Sequence, residues 1–213
     1  MRYVLALLVF TPLLAAPAAE AQLIDAYGLR VGGNVSEIDS FFPGYSNLAG
    51  FQLAAFAEFR ITDDLTLMPE LEYGRRGYAI VGEGRNTPDN FVPYEATTRL
   101  DFISLPVLFR LHTPFSDRIS AFALAGPRVD FLINRDAGTW DVGDGPQQDE
   151  LAAELASAGA GITVGFGAAL HQLVGREVRI DGRLNYGLTD WLQIDTSDNI
   201  FMRSLDLSVA IAL

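Results

Sequence analysis

Apolar and polar side chains alternate along much of this chain, and the alternation is clearest over residues 204–213. Successive side chains of a β-strand point to opposite faces, so a period of two is typical of a strand. One face of this segment carries Leu205, Leu207, Val209, Ile211 and Leu213, and the other carries Ser204, Asp206 and Ser208. The segment therefore predicts a strand with one strongly apolar face and one small, polar face.

The same alternation recurs in seven earlier segments, so the chain has eight predicted strands. They span residues 27–37, 49–61, 65–79, 97–111, 119–134, 159–171, 177–189 and 204–213. The connections alternate between long and short: the long ones are 38–48, 81–95, 135–158 and 190–199, and the short ones are 62–64, 112–117 and 172–175. Within the third long connection, residues 149–157 have helical propensity and predict one short helix.

This pattern favours an all-β fold, an eight-stranded antiparallel up-and-down transmembrane β-barrel with long external loops and short periplasmic turns. An even number of strands closes the wall and removes sheet edges, which lipid requires. The alternative is a soluble eight-stranded barrel of the lipocalin kind, in which the apolar face surrounds a ligand. The apolar face is too rich in Leu, Val, Ile and Phe for one small lumen, so the membrane barrel is the preferred interpretation.

The N-terminal residues predict a secretory signal peptide. Arg2 precedes a nearly continuous apolar run over residues 4–16, and Ala19 and Ala21 supply the small residues of a cleavage site. We therefore expect a signal peptide at 1–21 and a single outer-membrane β-barrel domain at 22–213. After the signal no apolar run reaches the roughly 18 residues of a spanning helix, although hydrophobic residues make up 49% of the chain.

Charge and composition exclude some classes of partner and site. The net charge is −12, which argues against nucleic-acid binding because that function needs a basic face. The chain has no cysteine, so disulfides and thiolate metal sites are excluded. The expected location is the outer membrane of a Gram-negative bacterium, and the expected partners are outer-membrane lipid, the barrel assembly machinery and periplasmic chaperones.

Five motifs in order carry a resemblance to a known family. They are GLRVGGNVS at 28–36, GFQLAAFAEFRITDDLTLMPELEYGRRG at 50–77, LDFISLPVLFRL at 100–111, FALAGPRVDFLI at 122–133 and GRLNYGLTD at 182–190. In this order the chain resembles the outer-membrane beta-barrel domain family common in Bacteroidetes-type bacteria, often described as PorT-like. The resemblance implies an eight-stranded barrel and no particular activity.

Charged residues on the polar faces form the main candidate site. They are Arg30, Glu58, Arg60, Glu70, Glu72, Arg76, Arg110, Arg128, Asp130, Arg179, Asp181, Arg183 and Asp206. Such a set could line an ion path or supply catalytic carboxylates. A barrel of eight strands has just enough interior for side chains, and buried charges must be paired. The preferred interpretation is a structural arginine–carboxylate network that fills the lumen.

Other candidate chemistry has simpler explanations. His112 and His171 fall at predicted periplasmic turns, with no serine or cysteine nucleophile pattern, so they are expected to be solvated turn residues. The third long loop is acidic, but its spacing does not fit an EF-hand calcium loop; its carboxylates are Asp141, Asp144, Asp149 and Glu150. Several aromatic residues in or near the long loops predict either a membrane-interface girdle or a binding surface, namely Tyr45, Phe91, Tyr94, Trp140 and Trp191.

Together these features predict an integral outer-membrane barrel without enzymatic activity, catalytic residues, metal or cofactor. Its expected role is structural or adhesive, through the external loops. The alternatives are a barrel that passes small solutes or ions, and an accessory component of an outer-membrane secretion or uptake system.

Overall fold

The computed structural model describes residues 24–39, 45–87, 90–137, 156–173, 176–191 and 201–213. In this part of the chain eight antiparallel strands follow one another and close into a barrel. They are β1 (Ala26–Asp39), β2 (Tyr45–Arg60), β3 (Leu65–Thr87), β4 (Asn90–Ser116), β5 (Ile119–Ala137), β6 (Ala158–Leu173), β7 (Arg176–Gly187) and β8 (Phe201–Ala212). The predicted up-and-down barrel is confirmed.

The first strand closes the barrel by pairing on both sides. Val31 of β1 lies opposite Leu53 of β2 on one side and Val209 of β8 on the other. Because every strand has two neighbours, the wall has no free edge, as lipid demands of a spanning sheet. Among the described residues, no helix has the length and apolar character needed to span a membrane.

Apolar side chains cover the outer face of the wall and polar side chains cover the inner face, as in a membrane barrel. A lipocalin has the reverse arrangement. On β8 the outward Val209 is 43% exposed, whereas the inward Ser208 is 2% exposed. The same contrast holds around the wall, where large apolar side chains point outward and arginines and carboxylates are buried inside. A soluble protein rarely exposes such a continuous apolar surface to water. The outer face is therefore the lipid face, and the soluble alternative is excluded.

Two apolar clusters close off the polar centre of the lumen. The lower apolar layer, on the periplasmic side, comprises Phe56, Met68, Leu108, Phe122, Leu124, Ala169, Ala210 and Ala212. The upper apolar layer, on the external side, comprises Leu100, Phe102, Ala156, Trp191 and Met202. Glycine makes room for these large rings: a Cβ at Gly167 would lie 2.6 Å from the Phe122 ring, and one at Gly159 would lie 2.6 Å from Trp191.

Several predicted boundaries were wrong. Residues 81–95 were expected to be a loop, but β3 and β4 continue through them as a paired hairpin, from Val81↔Glu95 to Thr87↔Asn90. The turn expected at 112–117 is limited to Asp117 and Arg118, because β4 extends to Ser116. The predicted signal peptide and nearly all of the predicted short helix lie outside the described residues.

Candidate functional site

The centre of the lumen is bridged by ion pairs between strands that are not neighbours. Arg30 of β1 donates to Glu70 and Glu72 of β3, with Nη2–Oε2 distances of 3.0 and 2.5 Å. From the opposite wall, Arg183 of β7 donates from Nη1 to Glu70 Oε2 at 2.9 Å and from Nε to Asp181 Oδ1 at 2.6 Å. Glu70 thus joins two arginines from different strands, and one of them, Arg183, reaches it from the wall opposite β3.

A second group of contacts extends the network towards the external side. Arg76 Nη2 lies 2.8 Å from Glu72 Oε1, and Arg128 Nη2 lies 2.6 Å from Asp130 Oδ1. Ser104 donates to the same Asp130 oxygen at 2.5 Å. These residues come from β3, β4 and β5, and their side chains are almost completely buried.

Asp206 is held by uncharged donors. Asn185 Nδ2 donates to its Oδ2 at 2.6 Å, and Ser204 Oγ donates to its Oδ1 at 2.9 Å. Thr163 in turn donates to Asn185 Oδ1 at 2.7 Å, which fixes the orientation of the amide. The described hydrogen bonds at Asp206 therefore come from a serine and an amide.

These side chains fill the space they enclose. Four arginines lie among five carboxylates at the centre of the lumen. The arginines are Arg30, Arg76, Arg128 and Arg183, and the carboxylates are those of Glu70, Glu72, Asp130, Asp181 and Asp206. The voids beside them are about 10 Å³ each, which is at the lower limit for one water molecule. The described centre of the lumen is thus packed and close to electroneutral.

Aromatic rings cover the ends of the charged groups. The guanidinium of Arg76 lies 5.5 Å from the centre of the Phe102 ring in the upper apolar layer. In the lower apolar layer, Arg179 lies 5.3 Å from the Phe56 ring and Arg110 lies 5.6 Å from the Phe122 ring. Cation–π contacts of this kind are strongest where water is excluded.

A separate polar cluster lies below the lower apolar layer, at the periplasmic mouth. Glu58 accepts from Arg179 Nη2 at 2.9 Å and from Arg110 Nη2 at 3.2 Å. Glu177 also contacts both arginines, accepting from Arg179 Nε and lying 3.6 Å from Arg110 Nη1. These groups line a cavity of about 540 Å³. The mouth is therefore roomy, in contrast to the packed centre.

Ser120, His171 and Glu177 form a chain of contacts in this mouth. Ser120 Oγ lies 3.0 Å from His171 Nε2, and His171 Nδ1 lies 2.9 Å from Glu177 Oε2. His112 and His171 were expected to be solvated turn residues, but they lie on β4 and β6. For His171 the expectation was wrong because β6 continues past it, which turns its ring to the lumen beside two polar partners.

Comparison with known proteins identifies the family. The model of the family described as "Outer membrane protein beta-barrel domain" matches residues 21–193. The chain belongs to this family. It is an integral β-barrel of the outer membrane. No curated protein matches the sequence of the chain.

Solved outer-membrane structures are similar in outline. The neisserial surface protein A (NspA) is 13% identical, with 87% of this chain and 96% of that chain covered and a TM-score of 0.49. The attachment invasion locus protein Ail of Yersinia pestis, in complex with a heparin analogue, is 13% identical, with coverages of 88% and 98% and a TM-score of 0.41. The N-terminal β-barrel domain of Pseudomonas aeruginosa OprF is 12% identical, with coverages of 86% and 97% and a TM-score of 0.35.

Of the thirteen charged residues expected in the lumen of this family member, twelve are buried there. They are Arg30, Glu58, Glu70, Glu72, Arg76, Arg110, Arg128, Asp130, Arg179, Asp181, Arg183 and Asp206. They form the central network and the periplasmic cluster, separated by the lower apolar layer, and not one continuous network. Arg60 was placed wrongly: as the last residue of β2 it lies at the rim, and its exposed side chain pairs with Asp25 at 2.8 Å.

The sequence interpretation missed Glu177 and misjudged Trp191. Glu177 has the same strand parity as Arg179, Asp181 and Arg183, and that signal would have placed it in the lumen. Trp191, expected in an interface girdle or a binding surface, is buried in the upper apolar layer, 5.2 Å from the Phe102 ring centre. Trp140 and the four acidic loop residues lie outside the described residues, as do the side chains of Tyr45, Phe91 and Tyr94.

Within the described residues, no group of three or more His, Cys, Asp or Glu side chains has the arrangement of a metal site.

Proposed function

We propose that the protein is a non-conducting anchor in the outer membrane that acts in adhesion or binding at the cell surface. The observation that carries this proposal is the packed lumen. The central ion pairs leave voids of about 10 Å³, and an apolar layer lies on each side of them. A path for solutes would need hydrated charges, whereas these charges neutralise one another.

The external part of β3 and β4 supplies the binding surface in this proposal. We call residues 81–87 and 90–97 the β3–β4 ribbon. The described pairing of β3 with β2 ends at Tyr45↔Ile80, and that of β4 with β5 ends at Thr98↔Ala137. Beyond these points the two strands pair only with each other in the described register. At about 3.4 Å per residue, the ribbon reaches on the order of 20 Å past the wall.

Planar-bilayer recording tests the first half of the proposal. We expect the wild-type protein to give no large, steady single-channel currents. A double variant, Arg30→Ala with Arg183→Ala, serves as the comparison, because it removes two cations that cross the lumen. Steady wild-type currents would replace this proposal with the solute-passing alternative.

Shortening the ribbon tests the second half. Residues 82–94 are replaced by Asn-Gly, the preferred two-residue hairpin turn, between the paired Val81 and Glu95. Cells that display this variant should lose attachment to polystyrene and autoaggregation, while the barrel still folds. The matched control is Arg60→Ala at the periplasmic rim, which should attach like the wild type. Equal attachment by the shortened variant would refute a binding role for the ribbon.

Finer assignments are proposed on sequence alone. The five ordered motifs support membership of the PorT-like branch, and with it an accessory role in a secretion or uptake system as the second candidate function. The apolar N-terminal run supports cleavage of residues 1–21 during export. Insertion would then depend on periplasmic chaperones and the barrel assembly machinery.

A further inference from the structure

The contacts of Ser120, His171 and Glu177 have the order of a nucleophile, a base and an orienting carboxylate. Each ring nitrogen of His171 has one partner, the Ser120 hydroxyl at Nε2 and the Glu177 carboxylate at Nδ1. Glu177 fixes the tautomer in which Nδ1 carries the proton and Nε2 accepts from the hydroxyl. This is the atom-by-atom geometry by which a histidine activates a serine.

Three neighbouring strands hold these side chains at one level of the barrel. Ser120 faces the lumen on β5, beside Ala169 of β6, and Ala169 lies beside Arg179 of β7. The backbone N–H of His171 donates to the carbonyl of Arg118 at 2.8 Å, which fixes the backbone under the ring. The second oxygen of Glu177 accepts from Arg179 Nε. The carboxylate is thus anchored from one side and faces the imidazole with the other.

Ser120 differs from three buried serines of the central network, and from Ser36, whose hydroxyl donates to backbone carbonyls. Ser104, Ser204 and Ser208 each donate to a carboxylate, those of Asp130, Asp206 and Asp181. A serine bonded to a carboxylate completes a charge network. Ser120 instead contacts the imidazole of His171, the side chain most often used to take up a nucleophile's proton and return it.

The site opens on a cavity that could hold a substrate. Ser120, His171 and Glu177 all line the 540 Å³ cavity at the periplasmic mouth, a size within the usual range for ligand sites. Ser120 is 4% exposed, while the side chains of His171 and Glu177 are 36% and 24% exposed. The guanidinium groups of Arg110 and Arg179 line the same cavity. They give the cavity positive charge, which favours a substrate whose carbonyl oxygen becomes negative.

We propose that the periplasmic mouth is a serine-hydrolase site for small carboxylic esters. Ser120 Oγ bonds to the ester carbonyl carbon as its proton passes to His171 Nε2. The carbon–oxygen bond to the leaving alcohol then breaks, and His171 returns the proton to that alkoxide. Water then attacks the acyl-serine carbonyl carbon as one of its protons passes to His171 Nε2. The acyl–Oγ bond breaks, His171 returns that proton to Ser120 Oγ, and the carboxylic acid leaves with Ser120 and His171 regenerated. This activity goes beyond the proposed adhesive function and uses the opposite end of the barrel.

Covalent labelling tests the nucleophile. Protein folded in detergent is treated with a fluorophosphonate probe, and the modified residue is located by mass spectrometry. We expect the label on Ser120 and its loss in Ser120→Ala. Ser116→Ala is the matched control, because Ser116 is an exposed serine at the same rim, where its Oγ accepts from the Arg118 N–H. Absence of label in the folded wild type, or label retained in Ser120→Ala, would overturn the proposal.

Hydrolysis of p-nitrophenyl butyrate tests the base and the orienting group. Ser120→Ala and His171→Gln should reduce the rate to background, while Ser116→Ala retains it. Glu177 acts as a positioning residue, so Glu177→Gln should lower kcat at least about 100-fold with little change in KM, and Glu177→Asp should recover part of it. Heat-modifiable migration verifies that each variant is folded. Hydrolysis by folded Ser120→Ala equal to that of the wild type would refute the site.

Discussion

Arg183 Nη1 on β7 lies 2.9 Å from Glu70 Oε2 on β3, so the two residues connect opposite walls of the barrel through its interior. Neither strand is hydrogen-bonded to the other in the sheet. The contact therefore resists deformation of the barrel cross-section, which the backbone ladder between neighbouring strands does not control. This ion pair stabilises the barrel only while both charges are paired, because an unpaired buried charge lowers the free energy of unfolding.

Arg183→Ala should lower the free energy of unfolding by about 3–5 kcal/mol, since it leaves Glu70 and Asp181 with fewer compensating donors. Urea titration of the protein in lipid vesicles measures the change. Arg60→Ala is the control, because its pair with Asp25 is exposed and should contribute little. An Arg183→Ala midpoint equal to that of the control would mean that the lumen is hydrated rather than packed.

Leu207→Arg should lower stability by about 2–4 kcal/mol, because Leu207 projects from the middle of β8 into lipid. Phe115→Arg, two residues before the periplasmic turn, should cost about 0–1 kcal/mol, since the penalty falls towards the interface. Folding yields in vesicles give the comparison. Equal yields would contradict the assignment of the outer face to lipid.

Gly159→Ala should destabilise the upper apolar layer by about 1–3 kcal/mol, as overpacking does in other cores. Its three nearest heavy atoms would all belong to the Trp191 ring, from 2.6 Å outward. In a Trp191→Leu background the same substitution should cost less, because the obstructing ring is gone. A double-mutant cycle from unfolding titrations measures the coupling. Additive effects would show that the two positions do not meet.

The folded protein should migrate differently in SDS before and after boiling. The wall has no free edge, so detergent cannot open it strand by strand without heat. Electrophoresis of unboiled and boiled samples shows the difference. Identical mobility of the two samples would argue against a closed barrel in solution.

The period-two pattern predicted the faces of the strands because lipid and lumen impose opposite requirements on alternate residues. It therefore placed Arg30, Asp181 and Ser208 inside and Val209 outside, where the structure has them. The same rule failed for Arg60, because the alternation predicts which face of the wall a side chain lies on and not how far along the barrel axis it lies. Arg60 has the parity of Glu58 but lies beyond the buried part of the wall.

The alternating pattern could not predict two features of the structure, each for its own reason. The β3–β4 ribbon extends past the wall, so its residues 81–87 are not bound to alternate between lipid and lumen, and their glycines indicate a loop. The meeting of Ser120, His171 and Glu177 depends on the relative stagger of three strands, which no single segment encodes. Ser120 lies in an ordinary apolar context, Ile119-Ser120-Ala121, without any nucleophile motif.

The closure of β1 on β8 has a consequence for the order of assembly. Arg30 finds its carboxylates on β3, while its hydroxyl partner Ser208 is separated from it by 178 positions in the chain. Contacts so distant in sequence form slowly and together, because a long loop must close before any of them is gained. An unfinished wall would present both open edges and unmatched charges to lipid. Insertion of this chain should therefore proceed as one concerted event, in which the last strand completes both the sheet and the hydrogen bonds that Ser208 and Asp206 make in the lumen.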